Sequence, residues 1–420
     1  MHLGELTGRR VVLLGLGEDV ASTIGPVLAA GPAEVRVVED RVEVLDPLIG
    51  PEMMATLDEA ARWGEVFVRS PGFPRYQAPL VEALGTGASM TTPLDLWMGT
   101  HGSARTVVGV TGTKGKSTVT ALVAPLAATH GIRVGVAGNL GPPVFSDRWD
   151  RKAPVAVLEV SSYQASDLHH VPDLGVLTHM AEDHLSWHGG VDRYRADKLR
   201  LFRNEGGTVG SALVAESSPS ARGALAEMGI DAVVVPTPTG PLELPPHRVA
   251  NAALAVEVVH RLGGPTPTPE AVLEAAASSM PGRLDPCPCP PGLLCLDDAL
   301  ASNPTATAAA LAWLRKVGRP TIVLVGGVDR NVDATPLAAE VALWPQGRLE
   351  GVALADTGSD LARRCGLDLI GAAESVAEAT AIALERSGSE GVILFSPAAP
   401  TPARIGNWET RSQQFRAALI

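Results

Sequence analysis

The chain has 420 residues, of which 45% are hydrophobic and 19% charged, and its formal net charge is −12 at pH 7. This length exceeds one ordinary hydrophobic core, so two or three globular domains are expected. The net negative charge argues against a nucleic-acid partner. No apolar run approaches the ~20 residues of a membrane span. The four cysteines predict reduced cytoplasmic thiols rather than a disulfide scaffold.

The first hundred residues predict a Rossmann-like α/β unit. Apolar runs at 11–14, 35–38 and 66–69 predict strands, with helical stretches between them, as in a βαβ unit. The first turn, Gly15-Leu16-Gly17, lacks the third glycine of a dinucleotide fingerprint, which disfavours NAD binding. A linker is expected at 100–105.

Residues 107–120, VVGVTGTKGKSTVT, are the most informative segment of the chain. A strand-like run breaks into a glycine-rich turn that ends in Gly115-Lys116-Ser117 and enters a helix. The glycines let backbone N–H groups face phosphate oxygens, while the helix N-terminus and Lys116 add positive charge and Ser117 offers a hydroxyl to Mg²⁺. The residue five before Gly115 is Val110, so the loop is shorter than the usual P-loop. We predict nucleotide phosphate binding here.

Further strands are predicted at 134–137, 155–160 and 175–178, and two of them end in polar side chains. Glu159 lies at one strand end, where a carboxylate can ligate Mg²⁺ near the γ-phosphate. His184 follows the next strand, and a position near metal or phosphate is favoured over a plain loop histidine. Residues 194–202 predict a helix, on which pattern alone places Arg195 and Lys198 on a solvent-exposed basic face.

The last third predicts strands at 293–296, 321–325, 351–355 and 392–395 with Ala-rich helices between them. A proline-rich connection at 236–246 and a helix at 249–262 precede it. The chain is therefore expected to hold three consecutive α/β domains, at 1–100, 101–281 and 282–420.

In this order the motifs resemble those of the Mur ligase family. The match is densest from 107 to 203, where 112–118 resembles the family's short P-loop. Asn139 falls in its GN(I/L)G element, Glu159 in LE(L/V)SS(F/Y)Q, His184 in EDH and Lys198 in YRxxKxR(I/L)(F/Y). The resemblance implies an α/β fold of three domains: a Rossmann-like UDP-binding domain, a central P-loop ATPase domain with a mostly parallel sheet, and a Rossmann-like C-terminal domain.

The resemblance also implies a reaction. The family member that fits would be an ATP-dependent ligase that joins UDP-N-acetylmuramoyl-L-alanine to glutamate in peptidoglycan precursor synthesis. The acceptor carboxylate attacks the γ-phosphorus of ATP to give an acyl phosphate, and the amine of glutamate then displaces phosphate. ATP, two Mg²⁺ ions and a carbamylated Lys198 are the implied cofactors, and a cytoplasmic monomer is expected.

The site residues follow from the same motifs. The implied catalytic residues are Lys116, Asn139, His184 and Lys198. The implied ATP contacts are Gly112, Thr113, Lys114, Gly115, Lys116, Ser117, Thr118, His247, Asn251, Arg283 and Asp298. The implied metal ligands are Ser117, Glu159, His184 and carbamylated Lys198. The implied contacts to the UDP substrate are Leu16, Gly17, Ser70, Pro71, Gly72 and Asn139.

The last third departs from the family pattern where the amino acid would bind. The Ser-Lys pair of (I/N)DSKATN is Ala299-Leu300, the lysine of GGxxKxxD is Arg330, and the first phenylalanine of SPAxASxDxF is Ile405. The implied amino-acid contacts are Ser302, Arg330, Thr401 and Ile405. Because these changes cluster while the ATP motifs are intact, L-glutamate is favoured over D-glutamate. An ordinary D-glutamate ligase, a folylpolyglutamate-type ligase and a non-catalytic relative remain as alternatives.

Overall fold

The computed structural model describes residues 1–40, 46–139, 141–240, 244–328 and 333–420. Two compact units are formed: Met1–Thr239 with Pro246–Ala276, and a second that includes Ala277–Ile420. Apart from a two-stranded hairpin, the described residues of the first unit form two larger sheets and those of the second unit form one, each with helices, which confirms the predicted α/β fold class. The domain boundaries at 100/101 and 281/282 stay predictions. No helix in the described ranges has the length and apolarity needed to cross a lipid bilayer.

The first sheet has four parallel strands in the order β2-β1-β3-β4. Its strands are β1 (Arg10–Leu14), β2 (Glu34–Val38), β3 (Val66–Arg69) and β4 (Ser89–Thr91). Its helices are α1 (Glu18–Ala21), α2 (Ile24–Ala29), α3 (Leu57–Trp63), α4 (Ala78–Gly85) and α5 (Pro93–His101). The three predicted strands are confirmed. The predicted linker at 100–105 is formed by the end of α5 at His101 and a 3₁₀ turn at Gly102–Ala104.

The central sheet has six parallel strands in the order β12-β11-β8-β5-β7-β6. Its strands are β5 (Thr106–Thr111), β6 (Val134–Gly138), β7 (Val155–Glu159), β8 (Leu174–Leu177), β11 (Ser211–Ala215) and β12 (Ala232–Val235), and β9 (Arg203–Asn204) and β10 (Gly207–Thr208) form a separate small hairpin. The helices are α6 (Lys116–Ala128), α7 (Ser162–Ala165), α8 (Leu185–His188), α9 (Val191–Leu199), α10 (Pro219–Glu227), α11 (Pro246–Arg261) and α12 (Pro269–Ala277). Because β5, β7 and β8 are parallel neighbours, their carboxyl ends meet at one edge, which is where ligands bind in such sheets.

The sheet of the second unit has the order β13-β14-β18-β15-β16-β17, with only β13 antiparallel to its neighbour. Its strands are β13 (Asp285–Cys287), β14 (Leu294–Asp297), β15 (Thr321–Val325), β16 (Leu349–Leu354), β17 (Leu369–Ala373) and β18 (Val392–Phe395). Its helices are α13 (Pro304–Val317), α14 (Thr335–Val341), α15 (Gly358–Cys365), α16 (Val376–Arg386) and α17 (Trp408–Ala418). The four predicted strands are confirmed to within two residues at each end.

Candidate functional site

The loop after β5 joins a strand to a helix, as its sequence predicts. Gly115 is the N-cap of α6 and has a left-handed backbone, with φ at 91°. Gly112 has φ at 144°, and a Cβ there would lie 2.0 Å from Thr178 Oγ1. Only glycine tolerates both conditions, so these two residues are what let the backbone turn tightly into the helix N-terminus. That terminus, followed at once by Lys116 and Ser117, is suited to bind phosphate.

Two lysine side chains share one acceptor in this loop. Lys116 Nζ donates to the carbonyl oxygen of Gly112 at 3.0 Å, and Lys198 Nζ donates to the same oxygen at 3.1 Å. Lys198 is only 2% exposed, and burial lowers its pKa to about 7, with the charge of Lys116 acting in the same direction. The predicted solvent-exposed face for Lys198 is therefore wrong, because α9 packs on α7 and α8 and turns this side chain under the loop.

Hydroxyl groups on neighbouring elements form hydrogen bonds with the loop. Thr113 Oγ1 lies 2.7 Å from the phenolic oxygen of Tyr194, and Thr178 Oγ1 donates to the carbonyl oxygen of Lys114 at 2.5 Å. The predicted ATP contact Asn251 lies beside the loop, since a Cβ on Gly115 would lie 2.5 Å from its Oδ1. The other predicted contact on α11, His247, lies one turn earlier and is exposed. Sequence reasoning gave Thr178 and Tyr194 no role, because each lies more than sixty residues away along the chain.

Glu159 and Asn139 meet at the same edge of the sheet. Glu159 closes β7, directly between Val110 on β5 and Gly138 on β6. Its side chain is buried, and Oε1 accepts a hydrogen bond from Asn139 Nδ2 at 3.0 Å. A Cβ at Gly138 would lie 2.2 Å from the carbonyl oxygen of Glu159, which explains the glycine before Asn139. The predicted metal ligand and the predicted substrate amide are thus adjacent.

His184 lies in a strained turn before α8. Its φ is 51°, in the left-handed region, and its backbone N–H donates to Asp183 Oδ1 at 3.0 Å. Partial burial lowers the pKa of the imidazole. The charge of Asp183 raises it, and the charges of Lys198 and Lys116 lower it further. A neutral imidazole has a free lone pair, as a metal ligand requires. Non-glycine residues in this conformation are concentrated at functional sites.

A chain of hydrogen bonds that the sequence did not predict runs past Lys198. Asp197 Oδ2 accepts from Tyr76 OH at 2.6 Å and lies 2.6 Å from His188 Nδ1. His188 Nε2 lies 3.0 Å from Ser162 Oγ on α7. Because Asp197 directly precedes Lys198, these hydrogen bonds fix the orientation of α9 beneath the loop. It joins residues up to 121 positions apart, so no local pattern indicates it.

Whether these residues fit Mg²⁺ depends on the chemical state of Lys198. Among the described residues, no group of three or more His, Cys, Asp and Glu side chains lies close enough together to hold a metal ion. The predicted set differs from such a group, since it adds the Ser117 hydroxyl and a modified Lys198 to Glu159 and His184. An ammonium group cannot coordinate a cation, whereas a carbamate offers carboxylate-like oxygens. Lys198 therefore fits as a member of this ligand set only when it is carbamylated, whereas Ser117 and Glu159 offer oxygen ligands in either state.

The predicted contacts to the UDP part lie in two touching loops of the first sheet. A Cβ on Gly17 would lie 2.7 Å from Ser70 Oγ, and the Leu16 N–H already donates to Glu39 Oε2 at 2.7 Å. Arg69, which is fully buried, donates to the carbonyl oxygens of Ser70 and Pro71 at 3.0 and 2.8 Å and also binds Asp167. The sequence did not single out Arg69, yet it fixes the predicted loop 70–72.

The remaining predicted residues belong to the second unit. Burial raises the pKa of Asp298 to about 7, although its carboxylate accepts hydrogen bonds from Ser396 Oγ and the Leu284 N–H. Arg283 lies one residue before Leu284. The other residues predicted here are Ser302, which lies just before α13, and Thr401 and Ile405, which lie in the segment after β18. Arg330 lies outside the described residues.

The chain is similar to known proteins in sequence and in fold. Residues 110–235 match the Mur ligase middle domain. The chain is 33% identical to a UDP-N-acetylmuramoyl-L-alanine–L-glutamate ligase of Micromonospora sp., over 100% of this chain and 98% of the relative. The ligase of the same name from Salinispora tropica is 31% identical, over 100% and 99% of the two chains. Among solved structures, the MurF ligase of Thermotoga maritima in complex with ADP superposes with a TM-score of 0.57, at 16% identity over 100% of this chain and 96% of that one.

Proposed function

The chain belongs to the Mur ligase family of ATP-dependent amide ligases, and we propose that it joins L-glutamate to UDP-N-acetylmuramoyl-L-alanine. The observation that carries this proposal is the pairing of Lys116 and Lys198 on one carbonyl oxygen of a glycine-rich loop. Lys116 beside a helix N-terminus favours a polyphosphate ligand, and the buried amine of Lys198 lies next to it. Both named relatives, which span the whole chain, act on this acceptor and this amino acid.

In the first step the chain's residues would hold the phosphates of ATP against the acceptor carboxylate. Lys116 and the N-terminus of α6 would hold the transferred phosphoryl group, and Tyr194 would fix the loop through Thr113. Asn139 would orient the acceptor near Glu159. The acceptor carboxylate oxygen bonds to the γ-phosphorus while the bond to ADP breaks, which gives an acyl phosphate. Mg²⁺, when bound, would supply Lewis-acid stabilisation of the charge on the phosphoryl oxygens.

In the second step the amine of glutamate attacks the acyl carbon, and phosphate leaves. The amine loses a proton as the C–N bond forms, and the departing phosphate or solvent takes it up. His184, a neutral imidazole because its pKa is lowered, is proposed to act as a metal ligand. The loops of the first sheet that Arg69 fixes would hold the UDP part. Arg283 and Asp298 are proposed to contact ATP, and Ser302, Thr401 and Ile405 are proposed to contact the amino acid.

Lys198 is proposed to carry a carbamate. With a pKa of about 7, a substantial fraction of this amine is neutral near pH 7 and can attack CO₂, forming an N–C bond and releasing a proton. The product is an anion next to Lys116, so a repulsive pair of cations becomes an attractive pair. It would also complete the ligand set of Ser117, Glu159 and His184. The four cysteines are free thiols, which fits the proposed cytoplasmic location, and a monomer is proposed.

Phosphate release with ATP, Mg²⁺ and UDP-N-acetylmuramoyl-L-alanine tests this function with L- and D-glutamate in parallel. A higher kcat/KM for L-glutamate supports the proposal. A higher value for D-glutamate would show an ordinary D-glutamate ligase, and turnover only with a folate acceptor would show the folylpolyglutamate type. Silence with every acceptor, in a protein that still binds ATP, would favour a non-catalytic relative.

A further inference from the structure

Tyr76 joins the loop that follows β3 to helix α9. The same loop holds residues 70–72, which are proposed to bind the UDP part of the acceptor, and α9 carries Lys198. The phenolic hydroxyl of Tyr76 donates a hydrogen bond of 2.6 Å to Asp197 Oδ2. Burial raises the pKa of this phenol, and the hydrogen bond to Asp197 raises it further, so Tyr76 remains a donor at neutral pH. One hydrogen bond to a carboxylate therefore connects the acceptor loop to the helix of the lysine.

The aromatic ring of Tyr76 is held independently of its hydroxyl. The guanidinium carbons of Arg75 and Arg193 lie 5.0 and 4.5 Å from the ring centroid. Trp187 meets the ring edge-on, with the two centroids 5.7 Å apart. Arg193 belongs to α9 and Trp187 to α8, so cation–π and edge-to-face contacts keep the ring against both helices. Removing the hydroxyl alone leaves these contacts and tests the hydrogen bond.

Residues 70–73 have an anchor that does not involve Tyr76. Arg69 donates hydrogen bonds to three carbonyl oxygens of this segment, at 2.8 to 3.1 Å. The guanidinium of Arg69 also pairs with Asp167 at 2.7 Å, and both side chains are buried. Asp167 binds Arg75 as well, which ties the end of the loop to the same carboxylate. Loss of the Tyr76 hydroxyl should therefore leave the proposed acceptor contacts in place.

Asp197 depends more directly on Tyr76. Its Oδ2 atom lies 2.6 Å from the hydroxyl of Tyr76 and 2.6 Å from Nδ1 of His188. His188 comes from α8, whereas Tyr76 supplies the partner from the first sheet. The next residue, Lys198, donates to the carbonyl oxygen of Gly112 in the loop after β5 at 3.1 Å. A rotation of α9 would move Asp197 and Lys198 together, so the bond from Tyr76 helps to set where the lysine meets that loop.

We infer that Tyr76 is a positioning residue of the first chemical step, and that through Asp197 it places Lys198 relative to the acceptor bound by its own loop. This inference rests on the proposed ligase function. The competing explanation is a hydrogen bond that only stabilises the fold. The two differ in their kinetics, since a bond that only stabilises the fold does not change the rate of the folded enzyme.

A single turnover of the full chain separates them, with enzyme in excess over ATP, Mg²⁺ present and UDP-N-acetylmuramoyl-L-alanine saturating. Tyr76→Phe should lower the rate constant of ADP formation about tenfold, because the acceptor carboxylate and the γ-phosphate are no longer held in register. It should change the calorimetric Kd for the acceptor by less than about twofold, because Arg69 still holds the loop.

Tyr163→Phe is the matched control. The ring of Tyr163 packs on the same Trp187, with centroids 4.6 Å apart, and within the described ranges its hydroxyl forms no hydrogen bond. The family element LE(L/V)SS(F/Y)Q has phenylalanine as an alternative at this position. The control should therefore change the rate constant of ADP formation by less than about twofold.

Asp197→Ala removes the other partner of the same hydrogen bond. It should slow ADP formation at least as much as Tyr76→Phe, and it answers the question if thermal unfolding shows that Tyr76→Phe folds poorly. The double variant should be no slower than Asp197→Ala alone, because both substitutions remove one shared interaction. Losses that multiply in the double variant would overturn the inference.

Two further results would also overturn it and leave the ligase function intact. One is a rate of ADP formation in Tyr76→Phe that equals that of Tyr163→Phe. The other is a defect of Tyr76→Phe that lies wholly in the Kd for the acceptor. A wild-type chain that forms no ADP with this acceptor would instead overturn the proposed function itself.

Discussion

Replacing Lys198 by methionine should make the protein more stable and inactive at once. Methionine has a similar length and carries no charge, and the Gly112 carbonyl keeps the hydrogen bond from Lys116. Folded Lys198 has a pKa of about 7, against 10.5 for a free lysine. The folded state therefore binds this proton less readily than the unfolded state, and stability rises with pH between about 7 and 10.5.

The size of the effect follows from that difference. Well below pH 7 the protonated lysine destabilises the folded state by about 5 kcal/mol. The destabilisation is about 4 kcal/mol at pH 7, and it disappears as the pH rises past 10.5. Lys198→Met should accordingly exceed the wild type in unfolding free energy by several kcal/mol at pH 6, and the difference should shrink steadily toward pH 9.5. Lys114→Met, at an exposed position in the same loop, should show no such trend.

Urea unfolding in CO₂-free buffer, followed by tryptophan fluorescence from pH 6.0 to 9.5, measures this difference. The second unit lacks Lys198, so its own transition provides an internal control where the two units unfold separately. A difference that does not change with pH, or a less stable variant at pH 6, would refute the reasoning. Added bicarbonate should stabilise only the wild type, because only its amine can form a carbamate, and carbon-13 spectroscopy with labelled bicarbonate should show the new carbonyl.

Four further results are expected from activity and stability measurements. Lys116→Ala should lower the rate of phosphate release at least about a hundredfold, since it removes a phosphate-binding cation, and near-normal turnover would contradict the phosphate site. Lys198→Ala should regain part of its activity with small carboxylates such as acetate, and a folded variant without rescue would leave the carbamate unsupported. Asp298→Asn keeps an acceptor for Ser396. The pKa of Asp298 is raised by burial, so the folded state holds its proton more tightly than the unfolded state, and stability falls as pH rises from about 4 to 7. The thermal midpoint should therefore fall between pH 5 and 8 in the wild type but not in the variant. Tyr194→Phe should raise KM for ATP about fivefold through loss of one hydrogen bond to Thr113, and an unchanged KM would show that this contact is dispensable.

The strands that the sequence predicted are those with continuous apolar runs. β3, β15 and β18 agree in both bounds, because Val, Ile and Phe residues buried on both faces leave little ambiguity. β4 has three residues, and β12 lies at a sheet edge with Val233 and Val234 exposed, so neither differs from a loop in pattern. Both owe their existence to a neighbouring strand, which a local pattern does not contain.

The site residues that could be predicted are those within short motifs of consecutive residues. The loop from Gly112 to Ser117 and the strand-end Glu159 have that character. Lys198 does not, because YRADKLRLF has the composition of a solvated helix and only the packing of α9 shows that its lysine is buried. Arg69, Tyr76 and His188 act through partners on other elements, so the sequence gives them no distinguishing neighbours.

The shared carbonyl oxygen of Gly112 links these observations. Burial lowers the pKa of Lys198, and repulsion from Lys116, whose ammonium group lies 3.0 Å from the same oxygen, lowers it further. Two changes relieve this repulsion: a phosphate that binds both cations, or a modification that makes Lys198 an anion. If carbamylation comes first, Lys116 remains as the phosphate-binding cation and Lys198 becomes available to Mg²⁺. The wild-type enzyme should then bind ATP more tightly when bicarbonate and Mg²⁺ are both present than with either alone. For Lys198→Met, bicarbonate should not change the affinity for ATP, and only the effect of Mg²⁺ on ATP itself should remain.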